Sequence, residues 1–233
     1  VTLLAFSDGH NVVQMPASQD HKRAYDGDRG PNTGGMGAFA PSPLYTREIS
    51  HYCGKYIIQP TIAALAAEDR TFKGVLYCGL MLTPSGPRVV EYNARFGDPE
   101  AQAVLSLLET DIMDIFEAVA DGNLSDTEIE WKEGAACCVV MASGGYPGAY
   151  ESGKPITGLE HIPEDIMVFH AGTQTRDGAV VTNGGRVLGV TAVADTLDAA
   201  AARAYEGVGL ISFEGAHYRN DIWRRANARG EGA

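Results

Sequence analysis

Val89-Val90-Glu91-Tyr92-Asn93-Ala94-Arg95-Phe96-Gly97-Asp98-Pro99-Glu100 reads as a strand that runs into a polar cluster and then turns into a helix. Side chains alternate along a strand with a period of two, so Glu91, Asn93 and Arg95 are expected on one face. That face offers a carboxylate, an amide oxygen and a guanidinium in a row. Oxygen donors of this kind suit Mg²⁺, which takes one or two protein ligands and completes its shell with phosphate oxygens and water. An arginine two residues further on can hold an anion through two parallel N–H donors. Asp98 falls where a helix N-cap is expected, with Pro99 at the first helical position and Glu100 in the first turn. An edge strand with a solvated polar face is the other reading of the same pattern.

Around this stretch the composition narrows the choices. At 233 residues the chain can form one large domain or two small ones. With 30 acidic against 18 basic residues and a net charge of −12, a nucleic-acid backbone is a poor partner. Cys53, Cys78, Cys137 and Cys138 show no paired metal spacing and are expected to be free, buried thiols in a reducing, cytoplasmic setting. No apolar run reaches membrane-spanning length and no signal peptide is visible, so no membrane partner is expected. The six histidines lack zinc-hydrolase spacing, and the serine-hydrolase elbow is missing. The first six residues are strand-like and carry no initiator Met. The chain is therefore expected to begin inside a domain and to lack an N-terminal region.

Local patterns give the element order. Residues 1–6 and 11–15 flank a hairpin signal at Asp8-Gly9. Residues 16–43 are polar, Gly-rich and without period, as functional loops often are. Residues 46–68 have helical spacing, with Thr46 as cap and Pro60 expected to kink or split the helix. Residues 71–82 and 88–93 form a second antiparallel pair around Thr83-Pro84-Ser85-Gly86. Helices are expected over 98–108 and 111–120, and an acidic connector over 121–133 marks a domain boundary. Beyond it, strands are expected at 135–142, 166–170, 179–182 and 186–193, a helix capped by Thr196 at 196–207, and an extended segment at 211–218.

Three further clusters could carry chemistry. Ser18-Gln19-Asp20-His21-Lys22-Arg23 combines phosphate-type donors, Lys22 and Arg23, with groups suited to a ribose or base edge; a solvated loop is its plain alternative. Gly30-Pro31-Asn32-Thr33-Gly34-Gly35-Met36-Gly37 can turn backbone N–H groups onto an anion. It matches neither the P-loop nor the dinucleotide signature, and a turn-rich connector would look the same. Thr182-Asn183-Gly184-Gly185-Arg186 is above all a hairpin turn, and His170 is better read as a core or rim histidine than a catalytic one.

Taken together, SQDHKR (18–23), GPNTGGMGAF (30–39) and EYNARFGDPEAQ (91–102) resemble the glycinamide ribonucleotide synthetases, the phosphoribosylamine–glycine ligases, in content, order and spacing. VVMASGGYPGAY (139–150), FHAGT (169–173) and VTNGGRVLGVTA (181–192) carry the resemblance through the C-terminal half, to about residue 226. It implies an α+β fold: the second half of an ATP-grasp domain, an antiparallel sheet with flanking helices, over 1–131, then a small α+β domain over 132–233. It implies ATP, glycine and phosphoribosylamine as substrates, Mg²⁺ or Mn²⁺ as metal, and a glycyl phosphate intermediate of purine biosynthesis. Glu91 and Asn93 match the family's metal positions and Arg95 its anion clamp. Asp98 would orient Arg95 or meet a substrate amine. Gln19, Asp20, Lys22 and Arg23, with Asn32, Thr33, Gly34 and Gly35, would line the substrate and phosphate side. The resemblance also implies that the family's N-terminal parts, with an adenine hinge and a phosphate-binding lysine, precede Val1, so the chain alone is expected to be inactive. Trp223 stands where the family usually has Gly. A related ATP-grasp carboxylase of purine synthesis and a non-catalytic binding module are the alternatives.

Overall fold

The structure, a computed structural model, describes residues 1–224; the last two residues of the sequence resemblance, 225 and 226, lie outside them. By packing, the chain forms two units, each assembled from separated stretches. Among the described residues, one comprises 1–19, 41–97 and 107–133, the other 20–40, 98–106 and 134–224. The division at residue 131 expected from sequence is of another kind, a cut between consecutive stretches. None of the helices in the described residues is long and apolar enough to cross a membrane.

In the first unit four antiparallel strands lie in the order Val12–Gln14, Thr2–Asp8, Lys73–Thr83, Gly86–Asn93. Both expected hairpins are present. Every residue of Thr2–Asp8 is buried, as a central strand covered on both faces requires. Leu3, Ala5, Leu76, Cys78 and Leu80 pack with Cys53, Ile58 and Ile62 of the helical region. That region is split as Pro60 demands, but upstream of the proline. Arg47–Cys53 is α-helical, Gly54–Ile58 is a π turn, and Gln59–Ala67 resumes the α form. Proline has no N–H to donate and its ring crowds the preceding turn, and the widened turn before it accommodates this. Thr46 caps the helix by accepting from the Ile49 N–H.

The hairpin at the start of this sheet is tied down by Asp8. Its carboxylate is fully buried and accepts from the His10 and Asn11 N–H groups at 2.9 and 2.7 Å, the Asn11 amide at 3.0 Å and the Leu124 N–H at 3.2 Å. Burial pushes this carboxyl's pKa up, but the donors outweigh it and hold the value at about 2.

In the second unit the sheet order is Ile166–His170, Arg186–Ala194, Ala135–Ala142, Gly37–Ala40. Helix Leu197–Leu210, capped by Thr196, packs against the two central strands through Ala200, Ala201, Ala204, Gly207 and Val208. A Cβ on Gly207 would come within 2.8 Å of Ile166 and Val190, so glycine lets helix and sheet meet closely. Two segments depart from expectation. Residues 16–43 are not one irregular loop, since they contain Arg23–Tyr25 paired with Arg29–Asn32, and Gly37–Ala40 paired with the distant Ala135–Ala142. The partner strand lies about a hundred residues on, beyond any local pattern. Residues 211–218 make only isolated bridges, at Ser212 and His217, and a strand at Thr173–Arg176 goes unread. Trp223 sits at φ +80, a conformation glycine adopts freely. Here its indole N–H donates to Asp198 at 2.6 Å and its ring meets Phe39 edge-on at 5.3 Å.

Candidate active site

The strand Gly86–Asn93 places the oxygen row. In its register Asn93 faces Tyr77 and Glu91 faces Gly79 across the sheet, so both side chains share one face. The space over Gly79 is taken by Glu91, whose Cγ would lie 3.2 Å from an added Cβ. The strand ends at Asn93, so strand alternation does not itself carry Arg95 onto that face. The Arg95 guanidinium lies 5.7 Å from the centre of the Tyr77 ring, a cation–π approach, and donates to the Phe96 carbonyl at 2.8 Å. Tyr77 is the cross-strand partner of Asn93 and the ring nearest the Arg95 charge. Glu91 and Arg95 are exposed and Asn93 half-buried. Among the described residues no hydrogen bond or ion pair engages the Glu91 carboxylate or the Asn93 amide. The donor set therefore fits a hard divalent cation that keeps most of its shell for phosphate and water. No group of three or more His, Cys, Asp or Glu arranged for a metal occurs among the described residues.

Asp98 corrects an expectation. The helix begins at Glu100 with Pro99 at the cap position and no side-chain cap. The Asp98 carboxylate turns instead to Arg186 and Gln102. Nη1 and Nη2 of Arg186 donate to its two oxygens at 3.3 and 3.1 Å, and the Gln102 amide donates to Oδ1 at 3.0 Å. Arg186 also donates to the carbonyls of Asp98 at 2.7 Å, Gly34 at 3.3 Å and Gly35 at 3.5 Å. The loop beneath is tightly fitted: a Cβ on Gly35 would lie 2.5 Å from Pro99. Thr33 Oγ1 accepts from the Gly35 N–H at 2.9 Å and donates to the Lys22 carbonyl at 3.0 Å, while the Gly34 N–H donates to the Tyr146 hydroxyl at 3.0 Å. The hairpin reading of residues 182–186 missed Arg186. An arginine directly after Asn-Gly-Gly was the available signal.

The other expected residues are spread out. Gln19, in the first unit, accepts from the Ser42 hydroxyl at 3.5 Å and takes no part in the Glu91 row. Asp20 pairs with Lys22 at 2.5 Å. Arg23 donates to the Gly30 carbonyl at 2.8 Å and stands opposite Asn32 in the exposed ribbon. His21 is buried against Phe39. Burial, and then the positive charge of Arg219, hold its pKa below the ordinary 6.5.

Arg219, also unread from sequence, anchors this segment. Its fully buried guanidinium donates to both Asp221 oxygens at 2.7 and 2.8 Å, to Asp28 at 3.0 Å and to the Arg23 carbonyl at 3.1 Å. The Gly27 N–H donates to Asp221 at 2.8 Å, and Asn220 donates twice to Asp26. Burial works against the Asp221 charge, yet Arg219 and the Gly27 N–H hold its pKa at about 2.

Comparison with known proteins agrees with the resemblance read from the motifs. The ATP-grasp (A) domain of phosphoribosylglycinamide synthetase matches residues 1–101, and the C domain of the same synthetase matches 136–225. A phosphoribosylamine–glycine ligase of Rhodopirellula baltica is 51% identical over 229 residues, 97% of this chain and 52% of the relative. The crystal structure of the Thermotoga maritima phosphoribosylamine–glycine ligase aligns with a TM-score of 0.84 at 38% identity, over 95% of this chain and 55% of that one. The biotin carboxylase subunit of pyruvate carboxylase, at 18% identity and a TM-score of 0.62 over 93% of this chain and 46% of its own, shares the fold alone. The chain spans about half the length of the phosphoribosylamine–glycine ligases it matches. The fold is an ATP-grasp α+β fold, and the chain belongs to the phosphoribosylglycinamide synthetase family.

Proposed function

We propose that the protein carrying this chain is an ATP-dependent ligase that joins phosphoribosylamine to glycine, giving glycinamide ribonucleotide, ADP and phosphate in purine biosynthesis. The observation that carries this reading is the pair of oxygens at Glu91 and Asn93, on one strand face and engaged by no partner among the described residues, with the Arg95 guanidinium set over Tyr77, in a chain of this family.

The chemistry follows from the donors. A glycine carboxylate oxygen attacks the γ-phosphorus of ATP; the new P–O bond forms as the bond to ADP breaks. The amine nitrogen of phosphoribosylamine then attacks the carbonyl carbon of glycyl phosphate, phosphate leaves, and the nitrogen gives up a proton. Charge on the transferring oxygens is the main barrier, and fixed cationic groups lower it. Glu91 and Asn93 would hold Mg²⁺, or Mn²⁺ with the same oxygen donors, which neutralises that charge when bound. Arg95 holds the carboxylate and then the acyl phosphate. Asp98 accepts from a substrate amine. Lys22 and Arg23, with Gln19, Asp20, Asn32, Thr33 and the Gly34–Gly35 loop, bind substrate and phosphate. Four free, buried cysteines accord with a cytoplasmic setting.

The test is ADP release by the full-length polypeptide with glycine, or with bicarbonate in its place, in the presence of phosphoribosylamine. Glycine-dependent release is expected; bicarbonate-dependent release would reassign the enzyme to the carboxylases.

A further inference from the structure

Arg186 stands at the first position of strand Arg186–Ala194. Its side chain is mostly buried, at 22% exposure, while its partner Asp98 is half open at 52%. Among the described residues each hydrogen bond of its guanidinium goes to Gly34, Gly35 or Asp98. The guanidinium lies directly on Gly34: a Cβ there would come within 3.0 Å of its Cζ. The guanidinium is planar and its donors are fixed in direction: Nη2 donates to Asp98 Oδ2 at 3.1 Å, and the two N–H groups of Nη1 are shared between the Asp98 carbonyl at 2.7 Å and the longer contacts to Asp98 Oδ1 and the Gly34 carbonyl, which ties the loop backbone to the Asp98 carboxylate. Gln102 restrains Oδ1 from its own side. Asp98 is thus held along one edge and open along the other.

We propose that Arg186 is a positioning residue of the ligase reaction: it locks Asp98 and the Gly34–Gly35 backbone into one frame, so that the open edge of the carboxylate meets the substrate amine in a fixed orientation. The inference rests on the ligase reading above and adds a residue from the C-terminal half of the chain to it. A misplacement on the order of 1 Å in such a frame costs about 100-fold in rate.

The test uses the full-length polypeptide with Arg186→Ala, Arg186→Lys, Asp98→Ala and the double Arg186→Ala/Asp98→Ala. Arg186→Ala is expected to lower kcat/KM for the amine substrate about 100-fold, with the KM for ATP changed by less than about twofold. Arg186→Lys is expected to recover less than about a tenth of the loss, because an ammonium cannot fork across a carboxylate. The double variant is expected to be no worse than Asp98→Ala alone, as residues acting through one another are non-additive. Guanidinium ion at sub-denaturing concentration is expected to restore Arg186→Ala and leave Asp98→Ala unchanged. Additive losses, no rescue, or full activity in both Arg186 variants would overturn the proposal. Should Arg186→Ala fail to fold, Arg186→Lys and its double with Asp98→Ala carry the same comparison. A parent protein that shows no glycine-dependent ADP release would sink the ligase reading itself; an active parent with insensitive Arg186 variants would sink this inference alone.

Discussion

The end of the strand Gly86–Asn93 and the cluster around Asp98 are both rich in polar groups, and they use them in opposite ways. Glu91 and Asn93 are placed by backbone register and left without side-chain partners among the described residues. Asp98 is bound by Arg186 and Gln102, and the loop beside it by Thr33 and Tyr146. A group meant to exchange its shell for a cation and phosphates gains from being placed by backbone alone, since no protein partner must be displaced. A group that must keep one orientation gains from being saturated along one edge. Arg219 is the extreme of the second kind: it is buried, its donors go to two carboxylates and a carbonyl, and removing it would leave the half-buried Asp221 carboxylate without its cation.

This contrast can be broken by substitution. The largest effect is expected from Glu91→Gln in the full-length protein: a loss of at least about 10³-fold in kcat with the melting temperature within about 2 °C of the parent. A large fall in melting temperature would show that Glu91 is a structural group after all. The reverse pattern is expected at Arg219, where Arg219→Met should cost about 3 kcal/mol of stability in urea unfolding, because Asp28 and Asp221 lose their cation. A change below about 1 kcal/mol would mean that water satisfies these carboxylates as well as the arginine does.

Asp8 sharpens the comparison through pH. Its pKa is lowered from 3.8 to about 2 in the folded protein, so the folded state binds its proton less readily than the unfolded one. The stabilisation is therefore complete above about pH 4 and is lost as pH falls through about 2. It amounts to about 2 kcal/mol. Asp8→Asn should remove most of it at pH 7 and flatten the stability profile between pH 4 and 2; an unchanged acid limb would count against the buried-carboxylate account. The smallest effect is expected from Thr46→Ala, about 0.5–1 kcal/mol for the lost cap, with catalysis untouched.

Much of this molecule was legible in its sequence for local reasons. Both hairpins of the first sheet, the Thr46 and Thr196 caps and the apolar strand Ala135–Ala142 follow from turn chemistry, capping and periodicity, which act over a few residues. The Glu91/Asn93 pair was legible because a strand's alternation is local too. Arg95 lies past the end of the strand, and its guanidinium sits over the ring of Tyr77. The cap expected of Asp98 gave way to a partner 88 residues distant.

What the sequence determined by itself was therefore the family motifs, most of the element order and the pairing of Glu91 and Asn93 on one strand face. Only the tertiary structure decided that residues 20–40 pack with the C-terminal half, that Gly37–Ala40 pairs with Ala135–Ala142, and that Arg186 and Arg219 are the cations holding Asp98, Asp28 and Asp221. The reason is physical. A turn or a cap is settled by neighbours along the chain. A buried or half-buried charge must find its counter-charge wherever the fold brings one within hydrogen-bonding distance, and nothing in the spacing of residues announces which one that will be.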